Sequence, residues 1–143
     1  FYAAQVDEVL QQLEPLNIAE LLPDGSFRVA DAWRETRGMD GQLKERIRVG
    51  TVDAFQGKEF DVVFLSMTRS NDHRLSDERS MRRKFGHLML ENRLCVAMSR
   101  QQRLLIVVGD AGMLQGEPAQ SSLRGLVAFR RLCEGRDGCV VSA

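Results

Sequence analysis

Apolar residues in Ala3–Leu13 fall at Val6, Val9, Leu10 and Leu13, one stripe with the spacing of an α-helix. Pro15 and Pro23 bracket the exit from it. Pro23-Asp24-Gly25 reads as a turn, Phe27–Ala32 as a candidate strand, and Gly38 and Gly41 as marks of a loop. The rest of Leu16–Leu43 follows neither period. Ile47–Val52 then alternates apolar and polar positions, as a strand does. Two runs are continuously apolar, one within Asp61–Met67 and one at Leu104–Val108, which predicts strands buried on both faces of a parallel sheet. Between them lie a polar, charged stretch, Arg69–Lys84, and a helix from about Leu88 to Arg100 with Leu90, Leu94, Ala97 and Met98 toward the sheet. Strand, helix, strand in that order is a βαβ unit, so the two strands should be parallel, with a right-handed crossover. The link from Val52 to Asp61 is too short for a crossover helix and leaves room for one helical turn around Ala54–Gly57. Ser121–Leu132 reads as a closing helix with Leu123, Leu126, Val127 and Phe129 on its apolar side, and Cys139–Val141 as a short last strand. The fold class is α/β, a mostly parallel sheet flanked by helices.

Size and composition narrow the class. A chain of 143 residues suits one domain, here 1–143, and a 43% hydrophobic fraction is that of a folded protein. The longest apolar runs are too short to span a bilayer, and no basic-then-apolar leader opens the chain. The expectation is a soluble intracellular protein with no membrane partner. Phe1 begins without a Met and runs directly into a helical pattern, which reads as a piece cut from a longer polypeptide. Cys95, Cys133 and Cys139 form no CxxC pair, and His73 and His87 lie far from them in sequence, which argues against a zinc site or a disulfide framework. Twenty basic residues balance twenty acidic ones, so net charge gives no support for a nucleic-acid partner. Seventeen of the basic residues are arginine, a side chain suited to bidentate phosphate recognition; a GC-rich genome would supply the same bias.

Ligands of open α/β sheets bind beyond the carboxyl ends of strands, which here directs attention to Asp53–Glu59, Thr68–Phe85 and the segment from Asp110 onward. In the first, Gln56-Gly57-Lys58-Glu59 offers a glycine whose backbone can approach a phosphate closely, then a carboxylate able to accept hydrogen bonds from a ribose hydroxyl pair. A tight connection with Glu59 solvated accounts for the same residues. Gly57-Lys58 is not a P-loop: six residues separate Gly50 from Gly57, and Glu59 stands where Ser or Thr belongs. The second constellation is Asn92–Arg100, where Arg93 and Arg100 are seven residues apart and would share a helix face suited to an anionic ligand. The structural alternative puts Arg100 at a helix carboxyl end, where a cation complements the dipole, with Arg93 solvated. No carboxylate cluster suits two metals, and no Ser/His or Cys/His arrangement is present, which argues against a stand-alone nuclease or nucleotide hydrolase.

Taken together, Val49–Glu59 resembles motif V of superfamily 1 helicases, in the branch containing the nonsense-mediated-decay helicase and senataxin, and Asn92–Arg100 resembles motif VI of that branch. Phe1-Tyr2-Ala3-Ala4-Gln5 is similar to the end of motif IV. The likeness covers roughly 1–14 and 47–115 and leaves Leu16–Glu45 and the C-terminal part unassigned. It implies the second RecA-like lobe of an ATP-dependent helicase, closing on a first lobe of the same polypeptide around ATP. Mg2+ ligands and the P-loop would lie on that first lobe, and a single strand of DNA or RNA would run across both. Carried over position by position, Gly57 and Lys58 lie near the phosphates, Glu59 at the ribose and Arg100 at the γ-phosphate. Arg93 also matches a family position, and Thr51, Asp53 and Gln56 fall where the nucleotide cleft is coupled to the strand. Departures are Cys95 for the usual Asn, Met98 for Leu, Ser99 for Thr, and Gln101-Gln102 for Ala-Arg. The alternative reading is a binding or scaffold module that kept the lobe's shape without a motor role.

Overall fold

The computed structural model describes residues 2–136 and 138–142. The chain divides into two compact units, Tyr2–Ala54 and the part from Phe55 onward.

The first unit opens with α1, Ala3–Leu13, the helix its apolar stripe predicts, with Leu10 buried. It packs on β1 (Ala19–Leu21) and β2 (Phe27–Val29), an antiparallel hairpin in register Ala19↔Val29. The Pro23-Asp24-Gly25 turn is the hairpin's tip, where the Asp24 carboxylate accepts from the Ser26 hydroxyl (2.7 Å) and amide (3.0 Å). One turn of helix, α2 (Asp31–Arg34), leads to a second hairpin, β3 (Glu35–Arg37) with β4 (Leu43–Glu45), whose loop holds Gly38 and Gly41. The candidate strand at Phe27–Ala32 is therefore shorter than expected. Strands of three residues are too brief to show an alternation, so the sequence pattern is silent over this stretch. Ile47–Val52 is not a strand. Alternation supplies two faces, but a strand also needs a neighbour's free edge, and among the described residues none pairs with this segment. Arg48 instead ties the segment down, through Glu45 (2.7 Å) and the Ala54 carbonyl (3.0 Å).

The second unit is built on β5 (Phe60–Ser66), followed by α3 (Glu78–Phe85), α4 (Glu91–Ala97), β6 (Gln101–Val108), α5 (Gly116–Ser122) and α6 (Arg124–Cys133). Strands β5 and β6 are parallel, with Val62↔Leu104 and Ser66↔Val108 in register, as a βαβ unit requires. One face of the pair is core: Val63, Leu65 and Met67 are buried, as are Phe85, Leu88, Leu94 and Leu126 from the helical segments. Each such fully buried side chain contributes roughly 1.5–3 kcal/mol. The opposite face is not buried as predicted. Val62, Phe64, Leu104 and Val108 are 44–71% exposed, because the apolar run has only one neighbouring strand among the described residues and helices on one side.

The polar, charged stretch Arg69–Lys84, to which the sequence pattern assigned no element, carries most of α3. Its helical signal was a capping box, Asp77 with Ser80, and the single i,i+4 apolar pair Met81 and Phe85. The helix expected over Leu88–Arg100 is only α4; a 3₁₀ turn at Gly86–Met89 and a break at Leu90 precede it, and Met98 (φ −90°, ψ 7°) ends it. Leu94 and Ala97 are buried as predicted, whereas Leu90, at the break, is 41% exposed. The closing helix expected over Ser121–Leu132 is α6, set off from α5 by a break at Leu123, and Cys139–Val141 has no strand partner among the described residues.

Candidate nucleotide site at the amino ends of two parallel strands

A single 3₁₀ turn, Val52–Phe55, precedes β5, in line with the one turn allowed by the short link. Gly57 follows with φ +73°, a left-handed conformation that glycine adopts without penalty, and a Cβ there would meet nothing within 4 Å. The glycine is required by the turn, not by crowding, so the backbone beside it is open to a ligand. The Lys58 amide closes the turn on the Phe55 carbonyl (3.1 Å), and the Phe55 and Phe60 rings pack edge to face across it.

The parallel register sets this turn beside the start of β6. The Phe60 amide donates to the Arg100 carbonyl at 2.9 Å, although the residues are forty apart in sequence. Because Ile47–Val52 is not a strand, the Gln56–Glu59 segment does not follow a strand's carboxyl end. It lies at the amino end of β5, as Arg100 lies at the amino end of β6.

Arg100 is not on the helix, so the heptad argument that placed it on one face with Arg93 fails. Arg93 lies within α4; Arg100 lies in the turn beyond it. The guanidinium reaches three oxygens: Nε donates to the Val96 carbonyl (3.0 Å), Nη2 to the Ser99 hydroxyl (2.8 Å) and Nη1 to the Lys58 carbonyl (3.4 Å). The first serves the open end of α4, whose last carbonyls need donors, and the second holds the Ser99 hydroxyl, which itself donates to the Val96 carbonyl (3.3 Å). The third crosses to the Gly57 turn. All three acceptors are neutral, and among the described residues no carboxylate pairs with Arg100. Its charge is oriented yet uncompensated, which suits an anion replacing the weak Lys58 contact.

Glu59 is exposed, and its Oε2 accepts from Gln102 Nε2 at 3.0 Å, while Oε1 makes no hydrogen bond among the described residues. Lys58, Glu59, Ser99, Arg100 and Gln102 are thus brought together. Ser99 and Gln102 were noted in the sequence only as departures from motif VI; the contacts they make depend on strand register, which no local pattern reveals. Thr51 and Asp53 belong to the first unit: Thr51 is half-buried, its carbonyl accepts from the Ala54 amide (3.0 Å), and Asp53 is exposed. Gln56 is exposed in the second unit.

Comparison with known proteins gives this geometry a family. The AAA domain family matches residues 1–112. The chain is 45% identical over 69 residues to DNA polymerase alpha-associated DNA helicase A of Saccharomyces cerevisiae, covering 48% of this chain and 9% of that protein. It is 39% identical over 77 residues to RNA helicase Mov10l1 of Homo sapiens, covering 54% and 6%, and 38% identical over 82 residues to Regulator of nonsense transcripts 1 of Dictyostelium discoideum, covering 57% and 6%. The chain therefore spans less than a tenth of these relatives' length. No solved structure matches it. No described helix is long and apolar enough to cross a membrane. With the parallel pair, its flanking helices and a match over most of its length, the chain belongs to the AAA domain family as a helicase-related domain of superfamily 1.

Proposed function

We infer that this chain is the second motor lobe of an ATP-dependent helicase or translocase acting on single-stranded DNA or RNA. The observation that carries the reading is Arg100, a guanidinium held by neutral oxygens, one of them the Lys58 carbonyl between Gly57 and Glu59. Transfer of a γ-phosphoryl group needs positive charge where the departing phosphate oxygens concentrate negative charge. An arginine fixed on one lobe and aimed across a cleft supplies it only when the lobes close. Hydrolysis thereby depends on closure, and closure moves the strand held by both lobes. Gly57 leaves room for phosphate beside the Lys58 backbone, and Glu59 presents an unfilled carboxylate oxygen to a ribose. ATP with Mg2+ is the substrate, and the P-loop and metal ligands belong to the first lobe. Thr51, Asp53 and Gln56 carry the coupling to the strand, and Arg93 assists at the phosphates.

A specific observation favours a second reading, the scaffold module. Arg100 Nε caps the Val96 carbonyl, so the residue also has a purely structural use. Comparing the complete polypeptide with this fragment separates the two. The complete protein should hydrolyse ATP faster when single strands are added, and the fragment alone should show no turnover. Metal-dependent hydrolysis by the pure fragment would sink the two-lobe reading, and a complete protein that never hydrolyses ATP would favour the scaffold.

A further inference from the structure

The chain carries equal numbers of acids and bases, yet residues 69–84 hold six basic side chains against three acidic ones. Helix α3 concentrates them. Phe85 is buried and Met81, one turn before it, is half-buried, which fixes the helix's orientation. At 100° per residue, Arg79 and Arg83 lie almost opposite that face, just over one turn or about 6 Å apart along the axis. Both are exposed, and among the described residues neither makes a hydrogen bond or ion pair through its side chain, apart from the field of Asp77 felt by Arg83. Arg82 differs, being paired with Glu78 at 2.7 Å. Exposed Arg74 extends the basic surface along the preceding loop.

Helix stability does not account for this arrangement. Cations in a last turn offset the dipole, which explains Arg82, Arg83 and Lys84. Arg79 is the second residue of the helix, at the end where a cation is unfavourable. Nor does the nucleotide site account for it. Arg100 lies at the amino ends of β5 and β6, and α3 is tied to their carboxyl ends, about 20 Å away along a strand rising 3.3 Å per residue. The ties are explicit. Asn71 Nδ2 donates to the Lys84 carbonyl (3.0 Å), Arg69 Nη1 to the Arg83 carbonyl (3.2 Å), and Ser70 Oγ to Asp110 Oδ2 (2.7 Å) just beyond β6. The two outward arginines therefore stand on a fixed platform.

We propose that Arg79 and Arg83, with Arg74 beside them, form a nucleic-acid backbone contact outside the segments that resemble motifs V and VI, holding successive phosphates of the strand this lobe tracks. The inference rests on the helicase reading above. Arginine forks match phosphate oxygens bidentately, and one helical turn spaces two of them along a strand. An acidic protein surface would need charge alone and is the competing occupant.

The test uses the complete polypeptide and fluorescently labelled oligo(dT) and oligo(U), with affinity measured across a series of salt concentrations. On a single strand, an arginine that no longer neutralises its phosphate makes the slope of log K against log salt shallower by about 0.7. The double variant Arg79→Gln/Arg83→Gln should lower that slope by about 1.4 on the strand that is recognised, while ATP hydrolysis without nucleic acid stays unchanged. Arg79→Lys/Arg83→Lys should keep most of the slope; equal loss in the lysine and glutamine pairs would overturn a phosphate contact. An unchanged slope in the glutamine pair overturns the proposal and leaves the acidic-protein occupant. A wild-type protein that binds neither oligonucleotide overturns the helicase reading itself, an outcome distinct from wild-type binding that the variants do not alter.

Discussion

Replacing Arg100 by alanine in the complete protein removes two things that the structure allows to be separated. The first is structural. Three hydrogen bonds go, one of them long at 3.4 Å. At about 0.5–1.5 kcal/mol each, and with acceptors that water can partly reach, the loss of stability should be about 2 kcal/mol. That lowers Tm by several degrees. The second loss, under the proposed function, is a positive charge at the γ-phosphate in the transition state. Removing one such stabilising group costs about 10²–10³ in kcat, or about 2.7–4 kcal/mol. Nucleic-acid-stimulated ATP hydrolysis, measured well below the variant's Tm and expressed per folded molecule, should therefore fall by about 10²-fold or more, with ATP binding far less changed. Arg100→Lys should rescue poorly, because one ammonium cannot present the guanidinium's planar fork. Arg93→Ala, on α4, should cost less. A lowered Tm with near-normal hydrolysis would refute the reasoning and leave Arg100 as a cap on α4. Greater damage from Arg93→Ala would mean that the phosphate-facing arginine was wrongly assigned.

Glu59→Ala should raise the KM for ATP more than it lowers kcat, since the proposed ribose contact would persist through the reaction. Gln102→Ala, which releases Glu59 Oε2, should shift KM in the same direction and by less; a pure kcat loss in either variant would remove the ribose role. Gly57→Ala should destabilise by about 1–2 kcal/mol from its left-handed φ of +73° alone, because no atom obstructs the new methyl; urea unfolding that detects no loss would contradict that backbone conformation. The hydrogen bond from the Ser70 hydroxyl, then the Gly112 amide and the nearby Lys84 charge, hold the Asp110 carboxyl below its ordinary value of 3.8. Its stabilising effect is full above 3.8 and disappears as pH falls through the lowered folded value. The destabilisation caused by Ser70→Ala should therefore be largest at neutral pH and shrink in acid, and equal losses in chemical denaturation at both pH values would refute the link.

Much of the frame was legible in the sequence because it rests on short-range periodicity. The stripe Val6, Val9, Leu10 and Leu13 specifies α1, and the runs at Val62–Leu65 and Leu104–Val108 specify two strands whose intervening helix makes them parallel. The segments proposed to carry the chemistry were picked out from the sequence alone, since Gly57, Glu59 and Arg100 lie in stretches that resemble long ordered motifs. What the pattern could not give was pairing. Ile47–Val52 alternates as well as any strand, but hydrogen-bonded partners are a property of the assembled sheet, and without one the segment stays irregular. Helix α3 was hidden because two apolar residues among many charges suffice once a core is there to receive Phe85. Arg100 illustrates the division most clearly. Sequence supplied its identity and its motif. Only the register that sets Phe60 against Gln101 carried it out of the helix to the Lys58 carbonyl, and put Gln102 on Glu59, because contacts across some forty residues form only when parallel strands align.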